Sequence, residues 1–160
     1  MTLRKCKKLE SLKVEKIAND EEWKLGTEIG YPNLIISNYG RVWRIEKEPI
    51  NETDEYIEYG PVIYEVSPYV NKRNNTKNGY YAFQYHSKIT FVHRLVAMLF
   101  VDGYSDDLVV DHIDENSLNN KWTNLQWIKS KDNVSKSLKY NHENGNYDEH
   151  LRKLHNKEDK

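Results

Sequence analysis

Asp111 and His112 stand side by side after two branched apolar residues in the stretch "VVDHIDENSLNNKWTNLQWIKSKDNV", Val109 to Val134. Asn133 lies near the end of the same stretch. A histidine, with an ordinary pKa of about 6.5, can take a proton from water near neutral pH. One carboxylate and one amide oxygen, completed by phosphate oxygens and water, suit Mg²⁺, which keeps several waters and seldom sits in an all-protein cage. Another hard divalent cation such as Mn²⁺ would serve, whereas softer metals would draw His or Cys ligands. Asp111 and Asn133 as metal ligands with His112 as general base is a set that hydrolyses a phosphodiester. Taken alone, the dipeptide reads equally as a surface ion pair or a helix cap, and the asparagines as turn residues bonding to their own backbone.

Three elements must position these groups. Leu108 to Val110 reads as a strand that ends at Asp111-His112, where two successive side chains can relax toward one pocket. Leu125 to Ile128 reads as a second strand. A helix capped by Ser130 then puts Asn133 on its first turn.

Upstream, "NLIISNYGRVWRI" predicts two short strands about a turn at Ser37-Asn38-Tyr39-Gly40, with Gly40 free to take a positive φ. The acidic segment Glu46 to Gly60 reads as a variable loop or edge. "GYYAFQYHSKITFVHRL" predicts a hairpin, Tyr80 to Tyr85 and Ile89 to Val92, and His93 to Val101 has the Leu, Ala and Met content of a short buried helix. Residues 1 to 19 read as a basic arm or short helix with a weak stripe at Leu9, Leu12 and Ile17. The last twenty residues read as a polar tail with a weak helical patch at Leu151 and Leu154.

With 160 residues, 38% hydrophobic and 31% charged, the chain can bury one modest core under a very polar surface. The single cysteine, Cys6, excludes an internal disulfide and a four-thiolate zinc site, and fits a reducing compartment. The basic N-terminus lacks the continuous apolar core of a signal peptide, and no run approaches the roughly 18 apolar residues of a membrane span. A cytoplasmic protein without a membrane partner is expected. The net charge of -1 argues against a surface that is basic throughout. Charge is nevertheless segregated: Asp102 to Asn116 contains no Lys or Arg and carries six acids, while Lys121, Lys129, Lys131, Lys136 and Lys139 follow. Acids to hold a cation flanked by bases to hold a polyanion fit a phosphodiester substrate, as a mosaic of solvated charges also would.

"VHRLVAMLFV" followed by "VVDHIDENSLNNKWTNLQWIKSKDN" resembles the HNH endonuclease family, in the subgroup found in phage and intron-encoded homing endonucleases. "EEWKLGTEIGYPNLIISNYGRVWRI" resembles the NUMOD4 module that often precedes such a domain. The resemblance implies an α+β protein with a ββα-metal, or His-Me finger, nuclease core behind a small antiparallel β module. The expected organisation is a basic arm at 1–19, a NUMOD4-like module at 20–66, an HNH nuclease domain at 67–140 and a polar tail at 141–160. By position, Asp111 matches the family's metal-binding acid, His112 its general base, Asn124 the middle Asn that braces the loop, and Asn133 the last metal ligand. His93 and Arg94 match the family's "HR" pair. Family members often carry glycine where this chain has Glu115, so a loop needing positive φ there would be strained.

The expected partner is double-stranded DNA, held by Arg41, Arg44, Arg94, Lys121, Lys129, Lys131 and Lys136 in a monomer or weak dimer. The expected compartment, for a phage-encoded chain, is the host cytoplasm. One site per chain predicts nicking. Two other readings belong to different classes: a non-catalytic module of the same fold binding nucleic acid or a protein, and an RNA enzyme stacking bases on Tyr80, Tyr81 and Phe83.

Overall fold

The computed structural model describes residues 4–6, 16–52, 56–72, 79–134 and 136. The expectations for the rest of the arm and for the tail at 141–160 lie outside the described residues. Two compact units divide the chain, 1–104 with 110–127, and 105–109 with 128–160.

In the first unit, five antiparallel strands form one sheet: β1 (Arg4–Cys6), β2 (Trp23–Leu25), β3 (Leu34–Ser37), β4 (Val42–Glu52) and β5 (Ile57–Glu65), in the order β1-β5-β4-β3-β2. β3 and β4 pair as their sequences predict, Leu34 opposite Arg44 and Ile36 opposite Val42, and Gly40 takes φ +84° in the turn between them. Trp23–Leu25 lies along β3, and Gly26–Ile29 forms a 3-10 turn.

The acidic segment read as a loop is largely strand. β4 continues to Glu52 and pairs with β5 from Trp43 opposite Glu65 to Glu52 opposite Ile57, with one irregularity between Pro49 and Asn51. Pro49 is tolerated because β3 flanks β4 only as far as Arg44, so the missing N–H leaves no ladder bond unmade on that edge. Many of this hairpin's residues are charged, which hides the alternation that marks a half-buried strand.

β6 (Tyr69–Asn71), β7 (Tyr80–Tyr85) and β8 (Lys88–Phe91) make a second antiparallel sheet, with His86 and Ser87 both at positive φ in the tight turn. Helix α1 (Val92–Phe100) follows directly. Its Val92, Leu95, Val96 and Leu99 recur at helical spacing and are buried, while Arg94 on the other side is exposed. These residues join Leu34, Ile36, Val42 and Phe83 in one core, so α1 is clamped between the two sheets' inner faces. β9 (Leu108–His112) and β10 (Leu125–Lys129) pair as a two-stranded ribbon.

In the second unit, Ser105 Oγ donates to Asp107 Oδ1 at 2.5 Å and Leu108 N–H to the Ser105 carbonyl at 3.1 Å, a turn that leads into β9. Residues 130–134 are helical and carry Asn133, half-buried, with Lys131 exposed. Among the described residues no helix is long and apolar enough to cross a membrane.

Candidate active site at Asp111 and His112

β9 ends by burying both polar residues, Asp111 at 7% and His112 at 6% exposure. Burying polar groups is costly unless they are partnered, and both are. Gln126 on the neighbouring strand donates its amide to Asp111 Oδ2 at 2.7 Å. The His112 Nε2 lies 3.3 Å from the Asn120 Oδ1, and Asn120 is itself buried.

Aromatic rings wall the imidazole. His93, from the first turn of α1, meets His112 edge to face with 5.3 Å between centroids, and Tyr80 packs 4.8 Å from His93 and 6.0 Å from His112. His93 is buried, and its Nδ1 has no hydrogen-bond partner. Burial, with the nearby His112 and Arg94 adding to it, pushes the His93 pKa down to about 3, so this ring is neutral at pH 7.

The asparagine loop is tied together by its own side chains. Asn124 accepts the Asp114 N–H at 3.0 Å and donates to Asp114 Oδ1 at 2.8 Å and to the Asn119 carbonyl at 2.9 Å. Its backbone carbonyl takes the Ile113 N–H at 2.9 Å. Asp114 also receives the Asn119 amide at 2.7 Å and the Asn116 N–H at 2.9 Å. Desolvation pushes the Asp114 carboxyl up, but these amide bonds and the nearby His112 outweigh it and hold its pKa below the usual value. The loop places Glu115 at φ +62°, the left-handed conformation a glycine would take without strain.

The upstream sheet fastens this loop from below. Trp122 N–H donates to the Asn38 carbonyl at 2.8 Å, and Lys121 Nζ sits 3.6 Å from Asp20 and 4.6 Å from the Tyr39 ring. The Tyr39 hydroxyl and the Asp20 carboxylate raise the Lys121 pKa above the ordinary lysine value.

Of the residues expected from sequence to act together, the structure gathers Asp111, His112 and Asn124 at the end of β9. Asn133 belongs to the second unit, as do Lys129, Lys131 and Lys136. Arg41 is engaged within the first unit: its guanidinium lies over Trp23 and Trp43 and pairs with Glu21 Oε2 at 3.2 Å, a carboxylate with no exposed surface. Arg44 donates to the Gln84 carbonyl at 2.8 Å and lines a groove of about 660 Å³ with Glu46, Lys47, Tyr85 and His86. Asn120 and Gln126, which hold the two site residues, carry no local signal of that role. Their contacts close across a loop and across a strand pair.

Comparison with known proteins matches residues 90–135, which contain α1, both ribbon strands and the loop, to the family described as HNH endonuclease. Those residues are similar to the HNH family. Over 47 residues the chain is 53% identical to DNA endonuclease I-HmuI of Bacillus phage SP01, which is 29% of this chain and 27% of the relative. Over 66 residues it is 41% identical to an uncharacterized HNH endonuclease of Acanthamoeba polyphaga mimivirus, 39% of this chain and 20% of the relative. The fold is similar to the structure of DNA binding and cleavage by the HNH homing endonuclease I-HmuI, with TM-score 0.55 and 27% identity. That similarity covers 83% of this chain and 65% of the other. The matches thus span about a quarter of the curated relatives' own length, and under two thirds of the solved one.

The donor set fits a hard cation better than a closed metal centre. Among the described residues no group of three or more His, Cys, Asp or Glu could hold a metal. A single buried carboxylate beside a histidine suits an ion that keeps most of its water and takes phosphate oxygens from the substrate.

Proposed function

We propose that the chain is a divalent-metal-dependent DNA endonuclease of the HNH type. The observation that carries this reading is the burial of Asp111 and His112 side by side on a braced loop, within the segment that matches the HNH family. His112 removes the proton from the attacking water, and Asp111 is the protein ligand for the cation. Asn133 is assigned as second ligand on sequence position alone. When bound there, a cation of the Mg²⁺ or Mn²⁺ class would supply Lewis-acid chemistry, polarising the phosphate and stabilising the departing sugar oxygen. Asn124 takes no part in proton transfer: it holds Asp114 and the loop in the shape that sets His112.

Double-stranded DNA is the proposed substrate, supported by the relatives' names and by the exposed cations Arg94, Lys129 and Lys131. Arg41 and Lys121 serve first as internal fastenings of the upstream sheet and loop. Residues 20–66 are the NUMOD4-like module of this reading, and one Asp-His pair per chain gives one nick per encounter.

Cleavage of supercoiled plasmid by the purified protein tests it, with Mg²⁺, with EDTA, and with His112→Ala. Nicked product that requires the ion and falls to a small residual level in the variant is expected. A folded wild type that cuts nothing across several divalent ions would leave the non-catalytic module as the better reading.

A further inference from the structure

We infer that Asn120 is a positioning residue that fixes the tautomer of His112, and that the Gly40 turn of the upstream sheet seats it. The inference deepens the nuclease reading and rests on it for its kinetic part. An amide oxygen can only accept, so the Asn120 Oδ1 at 3.3 Å from His112 Nε2 requires the ring proton on Nε2. The lone pair then belongs to Nδ1, which is the atom that must take the proton from water. When it does, the ring becomes an imidazolium and its Nε2–H bond to Asn120 becomes charge-assisted and stronger. The contact thus sets the ring before the reaction and supports the charge that forms during it.

Asn120 can make this contact only from one place, and the upstream sheet defines that place. A β-carbon at Gly40 would fall 2.8 Å from the Asn120 Cβ and 3.3 Å from a Val92 methyl, so the backbone of the β3–β4 turn approaches Asn120 as closely as glycine permits. Trp122 N–H on the Asn38 carbonyl and Lys121 over the Tyr39 ring clamp the chain just beyond Asn120 to the same turn. Tyr80 and His93 hold the imidazole plane from the other side. The upstream sheet therefore reaches the catalytic histidine through one asparagine.

Two measurements on the full chain separate this inference from the nuclease reading. Long-range ¹H–¹⁵N spectra of the wild type, without metal at mildly alkaline pH, should show His112 protonated at Nε2, with that ring proton slow to exchange and lost in Asn120→Ala. A His112 protonated at Nδ1 would mean that Asn120 presents its NH₂ group, which overturns the proposal even if the protein cuts DNA. In cleavage assays Asn120→Ala should lower kcat on the order of 10- to 100-fold with KM little changed, and Asn120→Asp, which keeps the acceptor, should recover part of the loss. Asn120→Ala should add no further loss to His112→Ala. An equal loss in both backgrounds would show a merely structural residue and would overturn the proposal. A protein without nuclease activity would sink the reaction, while the spectra would still decide the tautomer.

Discussion

Asn124 holds Asp114 at both ends, accepting its backbone N–H at 3.0 Å and donating to its carboxylate at 2.8 Å. A single buried amide thereby closes the loop that begins one residue after His112. Asn124→Ala removes these bonds and the one to the Asn119 carbonyl, leaving loop groups without partners. The expected cost is about 1–3 kcal/mol of stability, read from urea unfolding at neutral pH. Asn124→Asp keeps the acceptor but sets an oxygen against Asp114 Oδ1 and the Asn119 carbonyl. It should be less stable than Asn124→Ala at neutral pH and regain ground as pH falls into the carboxylate range. Two variants with equal, pH-independent losses would mean that packing, and not the paired amide, holds the loop.

The residues of the candidate site were legible because they are contiguous. The apolar run before Asp111-His112, the asparagine loop and the run at Leu125 to Ile128 emerge as strand, loop and strand, with bounds shifted by a residue or two. Helix α1 was equally plain, since its apolar residues follow a helical period and its polar His93 falls at the start. What the order of residues could not show is pairing across distance. Arg41 was expected to hold DNA, yet the fold buries Glu21 as its partner and sets its guanidinium over the rings of Trp23 and Trp43. The hairpin of β4 and β5 was hidden because local propensity is weak along its charged length and strand pairing overrides it. Asn120 was one asparagine among several until the turn at Gly40 came to lie against it.

Glu115 bears a strain that its side chain does not evidently repay. It is exposed, sits at φ +62°, and its N–H donates to the His112 carbonyl at 3.0 Å, a bond that glycine would keep. A left-handed conformation costs an ordinary residue roughly 1–2 kcal/mol, and glycine loses about 0.5–1 kcal/mol of that gain to its greater freedom when unfolded. Glu115→Gly should therefore stabilise the protein by about 0.5–1 kcal/mol. Thermal and urea unfolding of the pair settle the point. A variant less stable than wild type would show that the glutamate side chain contributes more than the backbone strain it imposes.

His93 makes the fold sensitive to mild acid. Its folded pKa of about 3 lies below the ordinary 6.5, so between those values the unfolded chain takes a proton that the folded chain refuses. Stability from this residue is complete above pH 6.5 and is lost as pH falls through that window, by up to about 1.4 kcal/mol per pH unit. The physical cause is burial of the ring against Tyr80, Phe91 and His112, with its Nδ1 lacking a partner that could support a charge. Asp114, whose carboxyl is lowered from 3.8, changes stability in the same sense but only below that value, outside the range of interest. Urea unfolding at several pH values between about 5 and 7 should give a steep loss for wild type and a shallower one for His93→Gln, which cannot take the proton. Parallel slopes for the two proteins would show that His93 protonates as readily folded as unfolded, and the acid sensitivity would have to come from another group.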